Sequence, residues 1–331
     1  MRTVILLLLA ALLAGCGTAT TPVPTPTVAP ARIGLSYIPN VQFAPFYLAE
    51  ADGLFDAENG TAATLRHHGA QEGLFTAIAA GQEDFVLAGG DEMLQARETG
   101  LDLVAVASYY RQYPVVIIVK QETPIGSLAE LKGMRVGVPG RYGSNWFGLL
   151  VALQNAGLTV DDIEVVEIGF TQQAALMSDQ VDAVVGFANN DLVQFQLAGV
   201  PVRSLAIGGA TTPLVGASLI TTRAYLDAHP EVVRGVAQAM VGGINAVADD
   251  RTGDRALDAT AAQVPGLTGE LREAARATLK STVLILTDDQ LRADGRLDVP
   301  TWRAMGEFMY SAGLLTEPAD LDAAIAPDVM G

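Results

Sequence analysis

From residue 32 to residue 206, short apolar or β-branched runs alternate with stretches of helical period, and this alternation restricts the fold more than any other feature of the chain. The sequence predicts strands over 32–38, 61–67, 84–88, 103–109, 115–119, 135–139, 163–167, 182–187 and 202–206. Helices are predicted over 44–59, 72–80, 91–99, 128–132, 144–155, 172–178 and 191–197. Such alternation argues for an α/β protein with parallel sheets covered by helices on both faces. After one more strand at 214–221 the chain from 223 onward reads as successive helices, among them 231–248 and 267–284. With 331 residues there is material for about two domains. Residues 109–114, Tyr-Tyr-Arg-Gln-Tyr-Pro, form a polar and aromatic break between two α/β units and are a candidate hinge. The pattern alone allows two consecutive domains or two lobes with the chain crossing twice.

The first residues carry a different signal. Arg2 precedes the apolar run 4–13, which is too short to span ~30 Å of hydrocarbon as a helix, and Leu13-Ala14-Gly15-Cys16 follows at once. That string resembles a bacterial lipobox, so 1–15 is predicted to be a signal peptide and Cys16 the lipidated residue. Residues 16–31 are rich in Thr, Pro and Ala and read as a tether between membrane and folded protein.

Composition removes several classes of function. Thirty-seven acidic side chains stand against 20 basic ones, a formal charge of −17, so a basic footprint for nucleic acid is missing. Cys16 is the only cysteine and cannot form an internal disulfide. His67 and His68 are neighbours on a predicted strand and point to opposite faces, so no metal site is predicted. The chain has no Gly-x-Ser-x-Gly elbow and no His-Glu-x-x-His helix. No catalytic set is therefore assigned, and no resident cofactor.

In α/β sheets ligands bind beyond the carboxyl ends of strands. The stretches 37–47, 109–113, 142–147 and 187–195 fall there and hold 12 of the 20 aromatic side chains, enough to stack a flat ligand. Tyr37, Phe43, Tyr110, Tyr142 and Trp146 are the candidate aromatic faces, whereas Phe46, Phe147 and Phe195 sit inside predicted helices and are expected in the core. Asn40 suits either a turn or a ring carbonyl beside an N–H. Gly140-Arg141-Tyr142-Gly143-Ser144 joins a strand to a helix, with Ser144 as a natural N-cap and Arg141 and Ser144 placed to meet ligand oxygens. Asn189, Asn190 and Asp191 serve equally as helix caps or as ligand partners.

Residues 37–49, Tyr-Ile-Pro-Asn-Val-Gln-Phe-Ala-Pro-Phe-Tyr-Leu-Ala, followed by Gly53-Leu54-Phe55, resemble the substrate-binding proteins of the thiamine-precursor and riboflavin ABC-transporter family. The resemblance continues through Gly81-Gln82, 137–143, Gly169-Phe170-Thr171-Gln172, Asp182-Ala183-Val184-Val185-Gly186 and Asn189-Asn190-Asp191, and so covers essentially the whole mature chain. It implies a two-lobed periplasmic-binding-protein fold of type II kind, with 32–110 plus 207–331 as one lobe and 111–206 as the other. It also implies a monomeric, lipid-anchored receptor on the extracytoplasmic face of the cell membrane, serving an ABC permease and its ATPase. Gln42-Phe43 stands where the pyrimidine binders carry a polar residue and His, and the 140–144 and 186–190 strings look more like the riboflavin branch. Riboflavin is thus the expected transported ligand, with a hydroxymethylpyrimidine as the alternative. An enzyme or regulatory protein on the same fold is the competing class.

Overall fold

The computed structural model describes residues 30–56, 61–69, 72–208 and 212–331. The stretch predicted to be a signal peptide, Cys16 and nearly all of the predicted tether lie outside them. Among the described residues no helix is long and apolar enough to cross a membrane.

Among the described residues, ten strands form two sheets. They are β1 (Ala31–Leu35), β2 (Ala63–His67), β3 (Phe85–Gly89), β4 (Leu103–Ser108), β5 (Val115–Lys120), β6 (Arg135–Val138), β7 (Glu164–Glu167), β8 (Ala183–Phe187), β9 (Val202–Ala206) and β10 (Ala217–Thr222). One sheet has the order β2-β1-β3-β10-β4 and the other β7-β6-β8-β5-β9. The middle strand β3 reads as an unbroken apolar run because both its faces are covered, and so does β4, an edge strand whose outer side is met by Ile325 and Ala326 beside Ala105. The edge strands β2, β7 and β9 are half-exposed and carry polar residues.

The helices are α1 (Ala44–Ala51), α2 (Thr76–Ala79), α3 (Gly90–Arg97), α4 (Gly143–Asn155), α5 (Gln172–Met177), α6 (Asp191–Leu197), α7 (Arg223–Ala228), α8 (Pro230–Asp249), α9 (Asp254–Gln263), α10 (Gly269–Leu286), α11 (Val299–Ser311) and α12 (Leu321–Ala324). Phe46, Phe147 and Phe195 are buried, as the helical spacing predicts. The predicted first helix is shorter than expected. It ends at Ala51 because the chain turns at Asp52-Gly53, where Gly53 takes a φ of +72°.

The sheets are not all-parallel, which corrects the expectation drawn from alternation. β10 runs antiparallel between β3 and β4, and β5 runs antiparallel between β8 and β9. Each of these strands is the first that the chain makes after passing from one sheet to the other. It arrives without a covering helix, so nothing forces it into the parallel sense. The passages are 109–114 and 207–216, and the two-lobed arrangement follows from them. The lobes share strand order and one more device. Arg32 at the start of β1 holds Asp84 just before β3 through its backbone N–H and its guanidinium, and Arg135 on β6 holds Asp182 just before β8 in the same way. This relation between the lobes left no repeat in the sequence that could be read directly.

The C-terminal helices buttress the first lobe. α8 lies against α1 so closely that a Cβ on Gly243 would collide with the Pro45 carbonyl oxygen and sit 3.0 Å from the Ala49 Cβ. Backbone on both sides leaves no room to yield. Gly243→Val should therefore destabilise the protein by about 2–3 kcal/mol, as overpacking typically does, measured as a lower urea midpoint with an unchanged m-value.

Candidate functional site

The passages between the lobes place a cavity of about 200 Å³ at the carboxyl ends of the strands. Its walls include Tyr37, Phe43, Tyr109, Tyr110 and Phe187, with Gln42, Glu92 and Ser144 as polar groups. The volume is below the ~300–1,000 Å³ of most ligand sites, so a three-ring ligand needs the lobes to part before they close on it.

On the first lobe the loop after β1 is held by a chain of hydrogen bonds. The Asn40 N–H donates to the Tyr47 hydroxyl oxygen (3.3 Å), the Tyr47 hydroxyl donates to His67 Nε2 (3.0 Å), and His67 Nδ1 donates to the Tyr37 carbonyl (2.9 Å). The chain requires neutral His67, and burial indeed pushes its pKa down. Tyr37 is thereby presented at the cavity with its side chain 44% exposed. Asn40 takes the duller of its two roles. Its Oδ1 accepts the Gln42 N–H at 3.0 Å and caps the single 3-10 turn Val41–Phe43.

Tyr109 and Tyr110 come from the first passage. The Tyr109 hydroxyl donates to the Gln42 carbonyl (2.7 Å) and the Tyr110 hydroxyl to Gln42 Oε1 (3.3 Å). From the second lobe, buried Asn189 donates through Nδ2 to the Tyr110 hydroxyl (3.4 Å) and to Thr282 Oγ1 on α10 (3.0 Å). Asn189 thus ties the lobes together and does not line the cavity, although its Oδ1 has no hydrogen-bond partner among the described residues.

Several predicted site residues are placed elsewhere. Trp146 is buried in the core, with the Arg141 guanidinium 5.2 Å from its ring centre, and Arg141 also lies 3.5 Å from Glu167. Neither reaches the cavity. Tyr142 is 61% exposed and folds its ring over Gly140. It also occupies the N-cap position of α4 that was expected for Ser144, because Gly143 adopts a φ of +67° and begins the helix one residue early. Ser144 itself lines the cavity. Asn190 stands at the N-cap of α6 without a side-chain cap bond, and Asp191 is spent locally, its Oδ2 accepting the Phe187 N–H at 2.7 Å. Of the predicted set, Tyr37, Phe43, Tyr110 and Ser144 are brought together at the cavity.

Sequence reasoning missed Gln42 and the acidic pair Asp91-Glu92 at the start of α3. The only advance signal for the pair is its place directly after a buried strand. Tyr113 on the first passage lies 2.6 Å from Asp91 Oδ2 and 2.9 Å from the Ser144 carbonyl oxygen. A phenol has one hydrogen and cannot donate to both. The Ser144 carbonyl can only accept, so the short contact is satisfied when Asp91 carries a proton and donates it to Tyr113. Burial, reinforced by the neighbouring Glu92, raises Asp91 to about 8, in line with that count.

The NMT1/THI5-like family matches residues 40–252. The chain belongs to this family. It is 33% identical over 324 residues, 93% of this chain and 90% of the other, to the riboflavin-binding protein RibY of Chloroflexus aurantiacus. It is 28% identical over 155 residues, 47% of this chain and 46% of the other, to the formylaminopyrimidine-binding protein of Halalkalibacterium halodurans. Among solved structures, the periplasmic aliphatic sulphonate binding protein SsuA of Escherichia coli superposes with a TM-score of 0.71 at 20% identity, covering 91% of this chain and 98% of that one. The fold of this NMT1/THI5-like protein is therefore that of the periplasmic binding proteins.

The proton on Asp91 has a measurable consequence. Its carboxyl moves from an ordinary value near 3.8 up to about 8 in the folded protein, so its contribution to stability is whole below about pH 4, declines as the pH rises and is gone above about pH 8. Asn at this position can keep both hydrogen bonds without a proton to lose. Asp91→Asn should therefore gain in melting temperature over the parent protein progressively from pH 5 to pH 8, by a few degrees at the upper end. A constant difference across that range would contradict the assignment.

Proposed function

We propose that this protein is the substrate-binding component of an ABC importer and that it captures riboflavin between its lobes for delivery to a membrane permease and its ATPase. The observation that carries the reading is the cavity itself, in which aromatic walls from the first lobe and from the passage face Phe187 and Ser144 of the second lobe. A flat ring system buries its faces against such walls while polar groups at the rim fix its orientation. The similarity to a riboflavin-binding protein over nearly the whole chain supports the flavin, and the shorter match to a pyrimidine-binding relative keeps a pyrimidine precursor as the competitor to be tested.

Quenching of flavin fluorescence during titration, run beside calorimetry with a hydroxymethylpyrimidine, decides between the two. Riboflavin should bind and quench, and it should be recovered unaltered, as expected of a receptor and not of an enzyme. Tyr37→Ala is the cleanest probe because the Tyr37 side chain lines the cavity and is substantially exposed. Loss of one stacked ring, worth ~0.5–1.5 kcal/mol, should weaken binding by about 2- to 12-fold with unchanged stability. Tight binding of the pyrimidine without binding of riboflavin would replace the ligand and leave the receptor reading standing.

A receptor of this kind acts at a membrane, and the lipobox-like Leu13-Ala14-Gly15-Cys16 followed by a Thr- and Pro-rich stretch supplies the anchor in this reading. Cys16→Ser should move the protein from the membrane fraction to the soluble extracytoplasmic fraction. Retention of the variant on the membrane would remove the anchor from the proposal.

A further inference from the structure

Stacking on aromatic walls leaves the acid at the cavity unexplained. Glu92 lines the cavity, and among the described residues its Oε2 accepts one hydrogen bond, from the Gly89 N–H at 3.3 Å. No Arg, Lys or His is among the residues that line the cavity with it. A carboxylate placed this way is under-satisfied, since its two oxygens have room for about four donors. The second lobe meets it with the start of α4. A Cβ on Gly143 would lie 3.0 Å from Glu92 Oε1, and the N-cap residue Tyr142 gives α4 no side-chain acceptor.

Two helix starts, α3 from one lobe and α4 from the other, therefore converge on a single carboxylate. Helix N-termini carry partial positive charge and free N–H groups and draw anions. Here the chain supplies the anion itself. Gly89 permits it, because a side chain at that position would collide with the Asp91 carboxylate and come 2.8 Å from Glu92 Oε2. The proton count at Tyr113 places a proton on Asp91; burial raises Glu92 as well, and Glu92 is the member of the pair left to carry a negative charge.

We propose that Glu92 is the specificity-determining group of the cleft: its carboxylate fills the anion position between α3 and α4, accepts an N–H or O–H from an uncharged heterocycle and turns away phosphorylated or sulfonated ligands. This inference rests on the binding-protein reading and narrows its ligand class. A ligand anion entering the same space would meet a like charge in a weakly screened interior, where repulsion over a few ångströms is strong. A donor on a neutral ligand would instead complete the carboxylate with a charge-assisted hydrogen bond.

The competing explanation is that Glu92 merely caps α3. Gln at the same position preserves that cap while removing the charge, so Glu92→Gln separates the two. Riboflavin and its 5′-phosphate are titrated against the parent protein and the variant by flavin fluorescence. The parent should prefer riboflavin by 30-fold or more, and the variant should bind riboflavin about 10-fold more weakly and lose most of the preference while melting at the same temperature. Unchanged affinity and an unchanged ratio in the variant would reduce Glu92 to a helix cap and overturn the proposal. A second arm does not depend on the flavin. Glu92→Ala empties the position, and inorganic sulfate should then raise its melting temperature in a concentration-dependent way while leaving the parent unaffected. If no flavin binds the parent, the riboflavin reading fails and this arm still decides: stabilisation of Glu92→Ala alone supports the anion position, and no difference between the two proteins overturns it.

Discussion

The architecture depends on how the two passages between the lobes are fastened. The Tyr109 and Tyr110 N–H groups both donate to the Ala217 carbonyl, the Gly90 N–H donates to the Val215 and Gly216 carbonyls, and the Arg111 and Gln112 N–H groups donate to the Ile285 carbonyl at the end of α10. These bonds fix the first passage against the second and against the C-terminal helices. Trp302 of α11 packs onto Gly90, and Met305 accepts the Val215 N–H through its sulfur at 3.2 Å. The aromatic wall at Tyr109 and Tyr110 is thus built on a bonded frame. What the second lobe brings, Phe187, Ser144 and Asn189, meets that frame through side-chain contacts that a hinge can break and remake.

The interior of the cleft is acidic in a protein that is already strongly acidic, and burying carboxylates is costly unless their charge is shared or compensated. Three features make it affordable. Asp91 keeps a proton and passes hydrogen bonding on through Tyr113 to Ser144; Glu92 sits by the starts of two helices; and Asp191 caps its own turn through the Phe187 N–H. In each case a backbone amide or a neutral hydroxyl replaces the counter-cation. A cavity arranged in this way has little to offer an anionic ligand, whichever heterocycle it holds.

The lobes also show one solution used twice. The same strand order, the same antiparallel strand at the point of entry and the same Arg–Asp clasp at the start of the first strand occur in both sheets. They diverge where function needs it. The first lobe adds α8 to α12, whose packing against α1, α3 and β4 leaves the second lobe as the smaller and less encumbered partner in closure.

Much of this was determined by the sequence alone. Periodicity is a local property, so the strands, the helices, the buried Phe46, Phe147 and Phe195 and the break at 109–114 could be read directly, and the family resemblance followed from contiguous strings such as residues 37–49. Contacts between distant residues decided the rest. Whether Trp146 faces a ligand or the core depends on how α4 rolls against the second sheet, and whether Ser144 caps its helix depends on the left-handed turn at Gly143. The antiparallel setting of β5 and β10 follows from chain entry, which pattern does not encode. Asp91 and Glu92 look like ordinary first-turn acids until Tyr113, 22 residues beyond Asp91, and Ser144, 31 beyond Tyr113, close over them. Charge, protonation and solvent access there are properties of the assembled cleft, because a carboxylate's behaviour is set by the donors and the dielectric around it and not by its neighbours in the chain.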